Sequence, residues 1–232
     1  QGLLDEVGHE DLVACRRSAD QCLLGVYGTL SISALDNLSP ARRLNLLRYW
    51  FRLFSLESAS ENGLSEFLRQ LRDSASECAP ALRVGQCWLR RYRDSLFLLP
   101  GGHVDQEKYS TSRPWNAGPT QIKGADIGIE GKITDGVGLK LSCLKGGLLE
   151  LRWQKGSARL RPTANGHHRR VKHLFQEAGV PPWERSRLPL VYYADQLACV
   201  PGVAMEHSLS ASVDEPGIQI MISDLRITGA GG

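Results

Sequence analysis

Residues 167–190 read HHRRVKHLFQEAGVPPWERSRLPL and contain the most clearly bounded element of the chain. Apolar side chains recur there at helical spacing, which predicts a short helix over 169–178 with one apolar face. That face consists of Val171, Leu174, Phe175 and Ala178. Gly179 is suited to a left-handed C-cap, and the Pro181-Pro182 pair prevents continuation. The segment therefore predicts a helix that stops sharply.

The start of this predicted helix is crowded with basic side chains and histidines. They are His167, His168, Arg169, Arg170, Lys172 and His173. The helix dipole disfavours positive charge at an N-terminus, so the arrangement carries a cost unless an anion offsets it. Free backbone N–H groups together with basic side chains are suited to phosphate. The pattern predicts a phosphate contact, with a merely solvated basic face as the alternative.

Positive charge is unevenly distributed over the 232 residues, although the whole chain carries a net charge of only +3. Residues 155–187 hold eight Lys or Arg and two Glu. Arg159 and Arg161 lie there, at a predicted strand end that leads through a loop into the basic helix. A second group, on a predicted helix and in an acid-free stretch, is Arg42, Arg43 and Arg48. Clustered cations in a nearly neutral protein indicate a directed anionic partner, and solvated faces are the alternative.

Neither metal binding nor covalent catalysis is indicated by the residue pattern. The histidines have no cysteine or carboxylate at ligand spacing, and their basic neighbours repel a cation. Six cysteines form no C-x-x-C pair and no regular framework, so reduced thiols in a cytoplasmic protein are expected. No apolar run approaches the ~18 residues that a membrane helix needs. We expect no catalytic residue, no metal and no membrane partner for this chain.

Composition and periodicity predict an α+β protein with two modules. Residues 1–100 are expected to form a helix-dominated module, and residues 121–232 a small β-rich module with one basic helix. Residues 101–120 are rich in Gly, Ser, Thr and Pro and poor in aliphatic side chains, which is typical of a linker. Trp115 is the exception in this linker and is expected to dock against a packed surface.

Local signals place the elements of both modules. In the first we predict helices over 1–15, after Ser39-Pro40 and from Ser60 or Asn62, a strand over 26–33, and a hairpin over 84–99 that turns near Arg93-Asp94. In the second we predict strands over 127–133, 138–144, 148–153, 188–193, 197–200 and 218–222.

A resemblance to a known family rests on four segments. LFQEAGVPPWERSRLPLVYY at 174–193 and QLACVPGV at 196–203 closely resemble the C-terminal domain of the tRNA(Ile)-lysidine synthetases. LSPARRLNLLRYWF at 38–51 and LRVGQCWLRRYRDSLFLL at 82–99 resemble the opening helix and the final hairpin of that family's middle, substrate-binding domain. The resemblance covers most of the chain, and 101–125 contributes little to it.

The resemblance implies an ATP-dependent ligase that attaches lysine to the wobble cytidine of an isoleucine tRNA. ATP with Mg and lysine are thereby implied for a parent enzyme, and tRNA as its partner. The family's nucleotide-binding loop, Ser-Gly-Gly-x-Asp-Ser, does not occur in this sequence. We therefore interpret the chain as the tRNA-recognition portion of such a ligase, which works with its own N-terminal catalytic domain. Alone, without a cofactor of its own, it is expected to be inactive.

Contacts with tRNA are expected from the basic side chains of both modules. They are Arg42, Arg43, Arg48, Arg159, Arg161, His167, His168, Arg169, Arg170, Lys172 and His173. Trp183 is predicted to pack into the core, with stacking on a base as the alternative. Arg185 and Arg187 either pair with nearby glutamates or face RNA. The alternative function is a non-catalytic protein-interaction module that retains the fold without RNA binding, and salt-dependent RNA binding distinguishes the two.

Overall fold

The computed structural model of the protein describes residues 2–16, 28–73, 80–101, 112–122, 127–145, 148–153 and 156–224. Contacts divide these residues into two compact units, of which the first ends at 101 and the second begins at 112. Within the described ranges, no helix is both long enough and apolar enough to span a bilayer. Residues 26 and 27 of the first predicted strand lie outside these ranges.

The first unit packs helices against an antiparallel sheet. Its helices are α1 (Gly2–Cys15), α2 (Ile32–Asp36), α3 (Pro40–Leu53) and α4 (Glu61–Asp73). Its strands are β1 (Gly28–Ser31), β2 (Ala81–Val84), β3 (Cys87–Tyr92) and β4 (Ser95–Pro100), in the order β1-β4-β3-β2. The β3–β4 hairpin turns at Arg93-Asp94, as predicted. The apolar faces of α3 and α4 form one core with the sheet, which includes Leu30, Leu46, Leu47, Phe51, Leu64, Phe67, Leu89, Leu96 and Leu98.

The starts of α3 and α4 follow their local signals. The Ser39 hydroxyl accepts a hydrogen bond from the backbone N–H of Arg42 at 3.4 Å, and Pro40 is the first helical residue. The Ser60 hydroxyl accepts one from the N–H of Gly63 at 3.2 Å, so Ser60 caps α4. A serine that satisfies an otherwise unpaired N–H explains why each helix begins where it does.

The second unit is rich in β-structure. Its strands are β5 (Arg113–Trp115), β6 (Thr120–Ile122), β7 (Ile127–Asp135), β8 (Leu139–Lys140), β9 (Leu149–Arg152), β10 (Arg159–Leu160), β11 (Arg169–Arg170), β12 (Leu190–Tyr193), β13 (Gln196–Val200), β14 (Ala204–Met205) and β15 (Pro216–Asp224). Its helices are α5 (Ser142–Lys145), α6 (Val171–Glu177), α7 (Pro182–Arg185) and a 3-10 turn, His207–Leu209. The described strands form sheets of order β14-β13-β12-β9-β5, β6-β7-β15-β8 and β10-β11. One core joins the larger sheets to α6, and the α+β fold class is confirmed.

Two glycines permit a close backbone approach between β8 and β15 in the β6-β7-β15-β8 sheet. β7 and β15 pair over nine residues each, and β8 pairs with the start of β15. Gly138 has a φ of +96°, and a Cβ there would collide with the carbonyl of Ile218. A Cβ on Gly217 would collide with the carbonyl of Val137. Only glycine allows these two segments to approach so closely.

The predicted basic helix starts two residues later than expected. Arg169 and Arg170 form β11, and α6 begins at Val171. Arg170 is the N-cap residue in an extended conformation, and no side chain caps the helix. The N–H of Val171 donates to the carbonyl of Ala158 at 3.0 Å. The predicted helix start is therefore wrong: Arg169 and Arg170 precede the first turn of α6, because pairing with β10 extends this part of the chain.

The end of α6 agrees with the sequence. Gly179 adopts a φ of +70°. Its N–H donates to the carbonyl of Gln176 at 3.2 Å, and the N–H of Val180 donates to that of Phe175 at 2.9 Å. This pair of bonds is a Schellman motif, which closes the helix through a left-handed glycine. Ala178, expected on the apolar face, is exposed at the C-cap.

Three further predicted segments differ from the structure. The strand expected over 26–33 ends at Ser31, because Ser31 caps α2, which begins at Ile32. The strand expected over 138–144 is divided into β8 and α5, because the left-handed Gly138 and the short pairing of β8 leave no continuous ladder. The linker expected over 101–120 is structured at its far end, where β5 pairs with β9. Trp115 is buried there and donates through Nε1 to the carbonyl of Gly118 at 2.9 Å, so its docking is confirmed. Residues 102–111 lie outside the described residues.

Candidate nucleic-acid interface

The short β10–β11 ladder places two arginines opposite each other. Arg159 pairs with Arg170, and Leu160 pairs with Arg169. Leu160 is buried in the core, whereas Arg159 and Arg170 are exposed. Directly opposed like charges on adjacent strands are destabilising by themselves. The fold thus holds two guanidinium groups together at a cost that a bound anion would offset.

An open depression of about 460 Å³ lies at this ladder. Its lining residues are Arg159, His168, Arg169, Arg170 and His173. Lys172, on the first turn of α6, is exposed as well. Among the described residues, nothing forms an ion pair or hydrogen bond with the side chains of Arg159, Arg170 or Lys172. We call Arg159, Arg170, Lys172, His168 and His173 the basic cluster. Its cations are available to a partner.

Two other arginines of this segment have partners within the fold. Arg169 forms an ion pair with Glu177 across α6. Arg161 lies against Glu206, with 3.8 Å between its Nε and the carboxylate Oε1. Glu206 is buried, so Arg161 neutralises a charge that has little contact with water. These two guanidinium groups contribute less free positive charge than their sequence positions suggested.

The three histidines predicted to touch phosphate are all exposed. His168 and His173 line the depression, and His167 precedes them in the loop. No cluster of three or more metal-ligating side chains occurs in the part of the chain that the structure describes. The prediction that this chain holds no metal stays a prediction.

The arginines of α3 have internal partners. Arg42 donates through Nε and Nη2 to the buried Asp11, at 3.1 and 2.5 Å. That carboxylate raises the pKa of Arg42 further above its ordinary value. Each of the other two binds an acid of its own unit: Arg43 contacts Asp36 at 3.0 Å and the Leu38 carbonyl at 2.9 Å, and Arg48 contacts Glu61 at 2.9 Å. Any contact of these residues with tRNA competes with bonds that the fold already provides.

The structure decides the alternatives around α7. Trp183 is 7% exposed, so it packs inside and does not stack on a base. Arg187 is 6% exposed, so it does not face RNA. Arg185 donates to the carbonyl of Val180 at 2.8 Å. Glu177, one of the acids considered for these arginines, pairs with Arg169 instead.

Sequence reasoning missed two buried carboxylates, Asp11 and Glu206, that bind arginines. Asp11 precedes Arg42 by 31 residues, and Glu206 follows Arg161 by 45. Neither belongs to a motif, since each is an isolated acid in an ordinary segment. Only the fold brings these carboxylates to their arginines.

Two family models match the chain in separate segments. The TilS substrate binding domain matches residues 30–97, which lie in the first unit. The TilS substrate C-terminal domain matches residues 149–222, which lie in the second.

Curated relatives named tRNA(Ile)-lysidine synthase match along most of the chain. The protein of Serratia proteamaculans is 32% identical over 87% of this chain and 43% of its own length. That of Chromobacterium violaceum is 34% identical over 90% of this chain and 45% of its own length. The chain thus spans under half of the length of these relatives. A crystal structure described as the TilS C-terminal domain superposes with a TM-score of 0.38 and 18% identity, covering 50% of this chain and 98% of that one.

The matches define an α+β chain that carries a substrate-binding domain followed by a substrate C-terminal domain. By these two domains the chain belongs to the tRNA(Ile)-lysidine synthase family.

Proposed function

We propose that this chain is the tRNA-recognition portion of a tRNA(Ile)-lysidine ligase, and that its basic cluster binds the sugar–phosphate chain of tRNA. The parent reaction would join lysine to the wobble cytidine at the expense of ATP, in the cytoplasm. The support for this proposal is the family membership together with the name that the relatives carry.

The observation that carries the binding proposal is the opposed pair of Arg159 and Arg170. A planar guanidinium donates paired hydrogen bonds to phosphate oxygens, and two such groups on adjacent strands can bind successive oxygens of one backbone. Lys172 adds a third cation, and the exposed His168 and His173 add ring N–H donors. Among the described residues, no Phe, Tyr or Trp side chain lines this depression, so phosphate contacts rather than base stacking are the proposed mode.

The test is filter binding of unfractionated tRNA over a salt series. The variant Arg159→Ala, Arg170→Ala, Lys172→Ala removes the three cations of the basic cluster that have no acid partner among the described residues. We expect weaker binding at every salt concentration and a log–log salt slope that is shallower by about 2, at ~0.7–0.9 per lost phosphate contact. Arg52→Ala, Arg69→Ala, Lys132→Ala is the matched control, because it removes the same charge from exposed side chains that already have acid partners.

The result is decisive in both directions. Equal losses of tRNA affinity in the two triple variants would show that the effect comes from net charge alone. That result would reject the basic cluster as a site. An unchanged affinity and slope in the first variant, with a normal thermal melt, would return these residues to a solvated surface.

The chemistry of the ligase is proposed to reside outside these two domains, in the parent's own N-terminal catalytic domain. The sequence contains no Ser-Gly-Gly-x-Asp-Ser loop, and the described residues hold no group of three acids, histidines or cysteines for Mg. These residues do not fit a site for ATP with Mg, so we assign them no step of the reaction. Release of pyrophosphate by this chain alone, with ATP, lysine and tRNA, would contradict the assignment.

A second candidate is a protein-interaction module without RNA binding. It is favoured by exposed apolar side chains near the β7–β8 turn, where Ile133 is 71% exposed and Val213 is 85% exposed. A stable protein complex that forms while tRNA affinity is absent would support this candidate. Salt-dependent tRNA binding that requires the basic cluster would reject it.

A further inference from the structure

Glu206 is a buried carboxylate beside the basic cluster. It lies between β14 and the 3-10 turn and is 2% exposed. Buried glutamates are rare in proteins unless their oxygens are paired, because removing the charge from water is costly. Glu206 also occupies the N-cap position of the 3-10 turn without capping it. Its side chain is directed elsewhere.

That side chain binds Arg161. Oε2 accepts a hydrogen bond from the backbone N–H of Arg161 at 2.7 Å, and Oε1 lies 3.8 Å from the Arg161 Nε. The Ser208 hydroxyl donates to Oε1 at 3.3 Å. The carbonyl of Arg161 accepts from the N–H of His207 at 2.8 Å. Both backbone polar groups of Arg161 are therefore bonded to residues 206 and 207.

Arg161 occupies the junction between β10 and the loop that leads to β11. Arg159 lies two residues before it, opposite Arg170. After it, a turn in which the N–H of Gly166 donates to the carbonyl of Thr163 at 3.0 Å returns the chain towards β11. Fixing the backbone of Arg161 consequently fixes where β10 ends, and with it the position of Arg159.

The ladder that Glu206 borders is intrinsically weak. β10 and β11 share only two residue pairs, and one of them opposes two like charges. Such a ladder needs support from outside the two strands, since repulsion between the guanidinium groups works against the pairing.

We propose that Glu206 is a positioning residue of the basic cluster: it holds the end of β10 so that Arg159 is presented together with Arg170. The proposal rests on the proposed tRNA binding at this cluster. Glu206 itself does not touch RNA in this scheme and acts through the backbone and guanidinium of Arg161. The sequence predicted that Arg161 contacts tRNA. In this scheme Arg161 instead links Glu206 to the end of β10.

The electrostatic effect of Glu206 and its proposed positioning role predict opposite changes in tRNA affinity for the same substitution. Glu206→Gln removes a negative charge close to the cations, so electrostatics alone predicts tighter binding of a polyanion. The positioning proposal predicts weaker binding, because the ion pair with Arg161 is lost. Glu206→Ala also removes the acceptor of the Arg161 N–H and has the larger effect.

The first experiment is filter binding of unfractionated tRNA to the full chain at a fixed salt concentration. We expect roughly tenfold weaker binding for Glu206→Ala and roughly threefold weaker binding for Glu206→Gln, as for the loss of one or two buried polar bonds. The salt slope should stay parallel to that of the unsubstituted chain, because no phosphate contact is removed. Glu150→Gln is the control: it gives the same charge change, at one of the two acid partners of Arg152 on β9, and should bind as tightly or more tightly.

The second experiment is hydrogen–deuterium exchange without RNA. Amides in 159–170 should exchange faster in both Glu206 variants, while those of β13 stay as protected as before. Unchanged exchange in 159–170, or tRNA binding by Glu206→Gln as tight as that of the unsubstituted chain, would overturn the positioning role. If the unsubstituted chain does not bind tRNA, the proposed function fails, and the exchange data still decide whether Glu206 holds β10. Should Glu206→Ala not fold, Glu206→Gln supplies both readouts.

Discussion

The arginines of α3 and the basic cluster have similar sequence patterns and opposite surroundings. Arg42 binds the buried Asp11, and Arg43 and Arg48 bind Asp36 and Glu61. In the basic cluster, by contrast, Arg159 and Arg170 lie opposite each other on β10 and β11 and line an open depression. Arginines in a segment without acidic residues can therefore still have acidic neighbours in the folded protein. Acids that come from other elements decide which cations remain available to a partner.

The largest expected effect in this comparison is a loss of thermal stability when Arg42 is substituted. Arg42→Ala leaves the buried Asp11 without its counter-charge, and we expect the melting temperature to fall by roughly 5–10 °C. Affinity for tRNA should not change. Calorimetry and filter binding measure the two quantities. Arg48→Ala, whose pair with Glu61 is exposed, is the control and should melt nearly normally. Lost tRNA affinity with a normal melt would make Arg42 an RNA contact.

The second prediction introduces a negative charge into the basic cluster at His173. This residue is the third of α6, where a carboxylate interacts favourably with the helix dipole, by about 0.3–1 kcal/mol. His173→Glu should therefore raise the free energy of unfolding while it weakens tRNA binding by roughly tenfold, through repulsion of phosphate. Urea titration and filter binding check both. His173→Gln should leave stability almost unchanged. If stability and affinity fell together, the fold of α6 and not its charge would be responsible.

A smaller effect is expected from relief of repulsion across β10 and β11. Arg170→Ala removes one of two opposed cations. In the absence of RNA and at low ionic strength, we therefore expect the free energy of unfolding to rise by about 0.2–1 kcal/mol. In 1 M salt the gain should disappear, because the screening length is then only about 3 Å. Urea titrations at both ionic strengths measure it. Arg83→Ala, opposite Trp88 in the first unit, should show no such salt dependence. A gain of equal size at both ionic strengths would point to packing.

The smallest effect concerns acid pH and the paired arginines of the first unit. Hydrogen bonds from Arg69 and Gln70 lower the pKa of Glu66 to about 2. Because the folded pKa lies below the ordinary value of 4.5, the pair stabilises the fold above that value. Its contribution is lost as the pH falls towards 2. The difference in melting temperature between the unsubstituted chain and Glu66→Gln should thus be present at pH 7 and absent near pH 2. A difference that persists at pH 2 would show that charge is not its cause.

Local signals predicted the elements whose boundaries depend on neighbouring residues. The Ser39-Pro40 start of α3, the turn at Arg93-Asp94 and the Gly179 stop of α6 all follow from a few adjacent side chains. The start of α6 was wrong because Arg169 and Arg170 are extended by pairing with a strand ten residues earlier in the chain. Helical periodicity does not report such pairing.

The sequence predicted correctly which segment forms the depression. It predicted less well which basic side chains of that segment have acid partners. The concentration of cations in 155–187 pointed to the segment that forms the depression. Neither the opposition of Arg159 and Arg170 nor the partners of Arg161 and Arg169 could be read from spacing. The pairing of Arg159 with Arg170 joins the two sides of a loop, Arg161 and Glu206 are distant in sequence, and the pair of Arg169 with Glu177 spans the length of α6.

The crossing of Gly138 and Gly217 has a consequence for the gene. The two collisions that forbid a Cβ fix β15 against β8, and nine residue pairs then fix β7 against β15. A codon inserted or deleted within 128–132 would shift one part of this ladder by a single residue. Ile129 would then point outward and its polar neighbour Glu130 inward, because strand side chains alternate. A change in the length of β7 therefore displaces core side chains along the rest of the β7–β15 pair.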